Sequence, residues 1–220
     1  MQVLLTGAFG NVGESTLIAL LDKGYDVRCF DVPTKNNERK ARELEEIGEF
    51  QTVWGDIRDS DAVGMAARDM DAIIHLAAII PPVTDKNPEL ARAVNVGGTA
   101  NLLAAAKEMD PSPKFIHASS VGTYGPSSPD GPPKTASDPQ LATDTYGTQK
   151  IECEKMVKAS GLPWSILRFG VIPPLALSME LDPMMFEIPL DQRFEFIHTR
   201  DVGLACANAV DAEAVGKILL

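Results

Sequence analysis

Cysteine is scarce in this 220-residue chain: Cys29, Cys153 and Cys206 are far apart and form no C-x-x-C pair. That spacing suggests neither a disulfide framework nor a zinc site, and it fits a reducing compartment. No apolar run approaches the roughly 20 residues of a membrane span. Met1 leads straight into an apolar stretch, without the charged leader and small-residue cleavage site of a signal peptide, so a cytoplasmic location is expected. Basic charge is the other deficit, with 20 Lys and Arg against 31 Asp and Glu and a formal net charge of −11. No basic cluster stands out as a phosphate-tracking stripe. The expected partners therefore include neither nucleic acid nor a membrane, and no metal site is expected. No internal repeat is apparent. With 45% hydrophobic residues, the chain is long enough for one sizeable core.

Glycine is placed with more purpose. The apolar run Val3-Leu4-Leu5-Thr6 breaks into Gly7, Gly10 and Gly13, three residues apart, and then takes on a helical pattern. Such a turn suits a dinucleotide: Gly7 ends the strand at a backbone angle other residues avoid, Gly10 admits a pyrophosphate, and Gly13 lets the helix pack on the strand. Phosphates would then meet the N–H groups of a helix N-terminus. The spacing is G-x-x-G-x-x-G, not G-x-G-x-x-G, and alone it also fits an ordinary strand-to-helix turn. Asp31 ends the next strand pattern, eighteen residues beyond Gly13. It is either a ribose acceptor or a capping aspartate.

Further along, Asp71 to Ala78 reads as one buried strand, and Glu89 to Lys107 as one long helix interrupted by Gly97-Gly98, which close packing or a ligand would demand. His75 lies inside the apolar run and reads as a packed core histidine, outside the catalytic set. Lys114 to Ala118 is a strand delivering Ser119 and Ser120. Residues 124–143 form a loop rich in Pro, Ser, Gly and Asp, mobile over the site, and Phe194 to Ile197 reads as a short strand. Strand and helix patterns alternate throughout, which predicts an α/β fold: a Rossmann-type doubly wound parallel sheet with ligands beyond the carboxyl ends of the strands. The expected division is a dinucleotide-binding domain over 1–170 and a short, loop-rich substrate cap over 171–220, with Leu175 to Phe186 its Met- and Leu-rich part.

Tyr146 and Lys150 stand four residues apart on one helix face. A phenol with a reference pKa of about 10 needs a neighbouring cation to exchange protons near neutrality, and a serine beside it could hold a substrate oxygen. A lone Tyr-x-x-x-Lys also fits a surface pair. Here it stands in a sequence of motifs: Thr6-Gly7-Ala8-Phe9-Gly10-Asn11-Val12-Gly13, Asp31, Gly55-Asp56-Ile57, His75-Leu76-Ala77-Ala78, Asn95-Val96-Gly97-Gly98-Thr99, Ser119-Ser120-Val121-Gly122-Thr123-Tyr124-Gly125, Tyr146-Gly147-Thr148-Gln149-Lys150 and Phe196-Ile197-His198-Thr199-Arg200-Asp201-Val202. In that order, along nearly the whole chain, they resemble the extended short-chain dehydrogenases/reductases, and within them the NAD-dependent epimerase/dehydratase group.

The resemblance implies that Gly7, Gly10, Asn11 and Val12 line a pyrophosphate, Asp31 binds the adenosine ribose, and Asp56 and Ile57 flank adenine. Ala77 and Ala78 would run beside the cofactor, and Phe9, Leu76 and Asn95 complete the cofactor set. Ser120, rather than Ser119, would polarise the substrate, Tyr146 would be the acid/base, and Lys150 would hold the nicotinamide ribose and favour the phenolate. NAD is the implied cofactor, NADP being disfavoured by Asp31, with Arg28 and Lys35 nearby as a reservation. The implied substrate is a small molecule, in the first instance a nucleotide sugar, and the implied assembly is a homodimer. A ketone or aldehyde reductase of an apolar substrate and a non-catalytic nucleotide sensor are the alternatives. The segment from Arg168 to Phe196 is much shorter than in sugar-nucleotide members, so an open substrate side is expected, closed by further C-terminal sequence or by a partner subunit.

Overall fold

The computed structural model describes residues 1–128, 131–173 and 195–220. Its first half runs β1 (Gln2–Thr6), α1 (Asn11–Asp22), β2 (Asp26–Asp31), α2 (Lys35–Glu45), β3 (Gln51–Trp54), α3 (Ser60–Ala67) and β4 (Ala72–His75). Two short helices follow, α4 (Val83–Lys86) and α5 (Pro88–Arg92), then a π-helical turn (Ala93–Gly97) and α6 (Gly98–Lys107). The rest is β5 (Lys114–Ser120), a 3₁₀ turn (Val121–Tyr124), α7 (Thr145–Lys158), β6 (Trp164–Phe169), α8 (Thr199–Asp211) and β7 (Lys217–Leu219).

The strands pair in parallel in the order β3-β2-β1-β4-β5-β6-β7. Because parallel strands are joined by crossover helices, both faces are covered, and the central strands are apolar on both sides. Val3, Leu4 and Leu5 of β1 and Ile73 and Ile74 of β4 are fully buried. Leu17 and Leu20 of α1, Ala41 and Leu44 of α2, and Val202 and Cys206 of α8 close one face. Val63 and Ala66 of α3, Leu102 of α6 and Val157 of α7 close the other. The order of strands reverses between β1 and β4, and a crevice opens at that switch point, beyond the carboxyl ends of the strands. Among the described residues, no helix is long and apolar enough to cross a membrane.

Three elements differ from the sequence reading. The apolar run from Asp71 to Ala78 is strand only through His75. Leu76 N–H still reaches the Thr6 carbonyl, but Ala77 N–H bonds to Thr6 Oγ1 instead, so the chain peels away beside Gly7. The long helix is broken by the π-helical turn, since Thr99 Oγ1 donates to the Asn95 carbonyl at 2.6 Å and competes for an acceptor of the backbone ladder. Of its two glycines only Gly98 is sterically required, a Cβ there lying 2.6 Å from Ile57 Cγ2, whereas Gly97 faces open space. Phe196 makes a single bridge to Val171 rather than a strand. Leu175 to Phe186, and Phe194, lie outside the described residues. Within 171–220, β7 extends the sheet and α8 packs against α1, closely enough that a Cβ on Gly203 would lie 2.4 Å from the Ser15 carbonyl oxygen.

Two buried histidines face each other across β4 and β5, with ring centroids 5.5 Å apart. His75 is held by the hydroxyls of Thr6 (2.9 Å) and Thr99 (3.0 Å). His117 has no hydrogen-bond partner among the described residues. Burial, and then the charge of Lys150, push His75 down to about 3, and the same causes with His75 hold His117 well below its ordinary value. Below about pH 6.5 the unfolded chain protonates both rings while the folded one does not, so their contribution is complete above that pH and falls as the pH drops, that of His75 being lost toward about pH 3. Urea unfolding should show stability falling by about 1.4 kcal/mol per pH unit for each histidine. His117→Phe should remove its share of the slope, and a flat profile between pH 7 and 5 would contradict the account.

Candidate active site

Gly7 ends β1 at φ +68°, and a Cβ there would lie 2.8 Å from the Ala77 nitrogen. A Cβ on Gly13 would lie 2.1 Å from the Gly7 carbonyl oxygen, so α1 can sit against the turn only with hydrogen at that position. Gly10 is different: its nearest non-neighbouring atom would be 3.4 Å away, at an ordinary backbone angle. Thr34, Asp59, Asp144 and His198 cap α2, α3, α7 and α8, but no side chain caps α1. Its first N–H groups, orphaned as in any helix, have no capping side chain at Gly10. A groove of about 840 Å³ opens there, lined by Gly7, Gly10, Asn11, Val12 and Gly13.

Asp31 lines the far end. Its Oδ2 accepts the Phe9 N–H at 3.0 Å, and its Oδ1 accepts Val32 N–H at 2.8 Å and Asn37 Nδ2 at 3.1 Å. Burial pushes the carboxyl up, while the backbone N–H groups of Phe9 and Val32 pull it back. Arg28, on the same strand, is committed elsewhere, to Gln51 and to the carbonyls of Ala66 and Arg68. Asp56 and Ile57 line the groove too, as do Leu76, Ala77 and Ala78, of which Ala77 lies directly against Gly7. Arg58 grips Asp56 through paired hydrogen bonds and lowers its carboxyl. Two residues of the expected cofactor set are not brought to the groove lining. The Phe9 ring packs on Trp54, with centroids 5.2 Å apart, and only its N–H serves the site through Asp31. Asn95 is buried beneath, binding both the N–H and the carbonyl of Ile79 and the Gln149 amide, so it shapes the chain leaving β4.

Ser120, Tyr146 and Lys150 meet on the opposite wall. Asp144 caps α7 by accepting the Gly147 N–H at 2.8 Å, and Gly147 has no room for a Cβ, which would lie 2.9 Å from the Gly122 carbonyl oxygen. These contacts press the start of α7 onto the end of β5. Lys150 Nζ donates to the Ala118 carbonyl at 2.7 Å and sits 5.6 Å from the centroid of the Tyr146 ring. Ser120 Oγ accepts the Gly122 N–H at 3.0 Å, leaving its own proton to be donated into the groove. Ser119 instead donates to Glu154 Oε1 at 2.7 Å. Buried Glu154 and Arg168 form a bidentate ion pair, which the sequence reading did not pick out. The i+4 spacing of Tyr146, Lys150 and Glu154 was the available signal. Burial opposes the Glu154 charge, but hydrogen bonds from Arg168 and Ser119 outweigh it and lower the carboxyl. A second cavity of about 610 Å³ adjoins the groove at Val121, Phe169 and Gly170, with Leu167, Ile197 and Leu219 among its lining.

The family model described as the NAD dependent epimerase/dehydratase family matches residues 3–219. A 3 beta-hydroxysteroid dehydrogenase/Delta 5→4-isomerase of Mycobacterium tuberculosis is 34% identical over 164 residues, covering 72% of this chain and 42% of that protein. A UDP-glucose 4-epimerase of Halalkalibacterium halodurans is 32% identical over 201 residues, covering 86% of this chain and 58% of that protein. The chain thus spans about half the length of the curated relatives it matches. Among solved structures, a UDP-glucuronic acid 4-epimerase from Bacillus cereus, in complex with UDP-glucuronic acid and NAD, superposes with a TM-score of 0.83 at 25% identity. That match covers 99% of this chain and 76% of the other.

The glycine turn can be tested without any ligand. Gly13→Ala should lower the unfolding free energy by about 1–3 kcal/mol, because the contact it forces is with backbone that cannot rotate away. Gly10→Ala should cost less than about 1 kcal/mol, the difference between glycine and alanine at a helix cap. Urea midpoints at constant slope distinguish the two, and equal losses would refute the packing argument.

Proposed function

The chain belongs to the NAD-dependent epimerase/dehydratase family, and from that premise we propose that it is an NAD-dependent oxidoreductase of the epimerase/dehydratase type, acting on a carbonyl/alcohol centre of a nucleotide sugar. One observation carries the reading: a single groove joins an uncapped helix N-terminus and the acidic end of β2 to Ser120, Tyr146 and Lys150. The fit to a dinucleotide lies in the chain's own atoms. The bare backbone at Gly10 leaves room for a pyrophosphate beside the N–H groups of Asn11 and Val12, and Asp31 can accept from a ribose hydroxyl. NAD, when bound, supplies the acceptor and donor of hydride.

Each residue on the opposite wall has a task that its geometry permits. Ser120 donates its hydroxyl proton to the substrate oxygen and orients it. Tyr146 takes the proton from an alcohol or returns it to a carbonyl. Lys150, anchored on the Ala118 carbonyl, holds a positive charge near the phenol and is placed to hold the ribose. Dimerisation through α6 and α7 and a cytoplasmic location belong to the same proposal. An apolar ketone or alcohol is the second reading, favoured by the apolar cavity beside the groove and by the steroid dehydrogenase among the relatives. Mass spectrometry of co-purifying small molecules, followed by a panel of UDP- and dTDP-sugars and apolar ketones, decides between them.

Tyr146→Phe keeps the ring and removes the proton donor, so dinucleotide affinity should survive while kcat falls by roughly 10²- to 10⁴-fold. Near-normal turnover would remove Tyr146 from the acid/base role. NAD should bind more tightly than NADP, because a 2′-phosphate would stand against the Asp31 carboxylate while Arg28 is tied to β3 and the end of α3. Calorimetric titration with both dinucleotides checks this, and equal or tighter NADP binding would refute it.

A further inference from the structure

Glu154 lies two helical turns beyond Tyr146 and one beyond Lys150, so the three share a face of α7. That face meets β5 at consecutive residues. Lys150 donates to the Ala118 carbonyl at 2.7 Å, and Glu154 Oε1 accepts the Ser119 hydroxyl at 2.7 Å. Ser119 and Arg168 are register partners on β5 and β6, and the same Oε1 accepts Arg168 Nε at 2.8 Å. One carboxylate oxygen therefore bridges two adjacent strands and the helix above them. Glu154 Oε2 accepts Arg168 Nη2 at 2.7 Å, Gln140 Nε2 at 3.0 Å and Lys158 Nζ at 3.1 Å. Arg168 Nη1 continues to the Tyr124 hydroxyl at 2.6 Å and the Ala136 carbonyl at 3.2 Å, and Tyr124 donates to the Thr135 carbonyl at 2.8 Å. Residues 135–140 are thereby fastened behind the 3₁₀ turn that carries Val121 and Gly122 into the groove.

We propose that the Glu154–Arg168 pair is a positioning device that fixes the register of α7 against the Ser119–Ser120 end of β5, and so sets where Tyr146 and Lys150 stand relative to Ser120. The proposal rests on the reading of those three residues as the reacting wall. Neither Glu154 nor Arg168 lines the dinucleotide groove, although Arg168 does line the adjoining cavity. Their effect is carried by Ser119, by the helix and by Tyr124. A fully buried ion pair is a poor source of net stability, since well-packed apolar residues of similar volume often replace it without loss. A salt bridge between two long side chains is, however, directional, and among the described residues it is the one ion pair joining α7 to the sheet, beside the Lys150 hydrogen bond to the Ala118 carbonyl. Elsewhere the second half of α7 is held by Val157 in the core, by Cys153 Sγ on the Asn95 carbonyl and by the Arg92–Glu152 pair, contacts with α5, the π-helical turn and the core that leave the Ser119 end of β5 tied to the helix through Glu154. Displacements of about 1 Å at reacting groups cost on the order of 10²-fold in rate.

The test uses the whole chain and two variants, Glu154→Asp, which keeps the charge but shortens its reach, and the double variant Glu154→Leu/Arg168→Met, which keeps the volume and removes the pair. Thermal unfolding establishes that each is folded. Expected in each folded variant is a kcat for UDP-glucose or UDP-glucuronic acid lowered 10- to 100-fold, with KM and NAD affinity within about threefold of the original chain. Amide exchange should rise at least tenfold in peptides covering 119–124 and 145–150 and stay unchanged in β2. Original kcat and original exchange in a folded variant would overturn the proposal, as would a loss carried by KM alone. If the original chain turns over neither sugar, the catalytic reading fails separately, and the exchange pattern still decides whether the pair holds the helix in register.

Discussion

Two backbones in direct contact at the centre of the sheet set the terms for everything around them. Gly7 lies against Ala77, and Gly13 lies against Gly7, at separations where a methyl group has no space. Because α1 begins there, its N-terminus points into the crevice formed where the strand order reverses. The depth of the groove at the glycine turn follows from this approach. Two alanines follow Leu76 where the chain leaves the ladder, and the first of them passes within contact of the turn.

The second wall answers a different constraint, which is charge in a dry place. Lys150 is buried, and the groups around it keep that charge tolerable. Its ammonium donates to the Ala118 carbonyl, and burial together with that same charge keeps the two histidines neutral. Glu154, one turn further along α7, is engaged by Arg168 rather than by the lysine. Among the described residues no acid pairs with Lys150, and its ammonium lies 5.6 Å from the centroid of the Tyr146 ring.

The alternation of strand and helix, the three glycines and the Tyr146–Lys150 spacing were legible in the sequence because each depends on neighbours within one or two turns. Asp31 could be singled out for a related reason, since it stands at the end of a strand pattern and a parallel sheet gathers those ends, whereas Asp56 and the choice of Ser120 over Ser119 came from the resemblance of their motifs. What stayed hidden was decided across the fold. Arg168 sits on a strand 14 residues beyond Glu154, and nothing local marks the two as partners. Asn95 and Phe9 belong to motifs that surround the groove, yet their side chains turn beneath it, because a motif records which residues travel together and not which of them face outward. The π-helical turn was hidden because its cause, the Thr99 hydroxyl on the Asn95 carbonyl, is one hydrogen bond in an otherwise helical pattern.

The packing of α8 onto α1 bears on how the chain assembles. The apolar face of α1 shares one core with Val202, Cys206 and Val210, and Gly203 touches Ser15 across nearly the whole length of the chain. A ribosome that has released β1 through β5 has therefore made a sheet whose founding helix is still bare on one side. Closure waits for residues 199–211, and until they arrive the nascent sheet offers that exposed stripe to chaperones or to neighbouring chains.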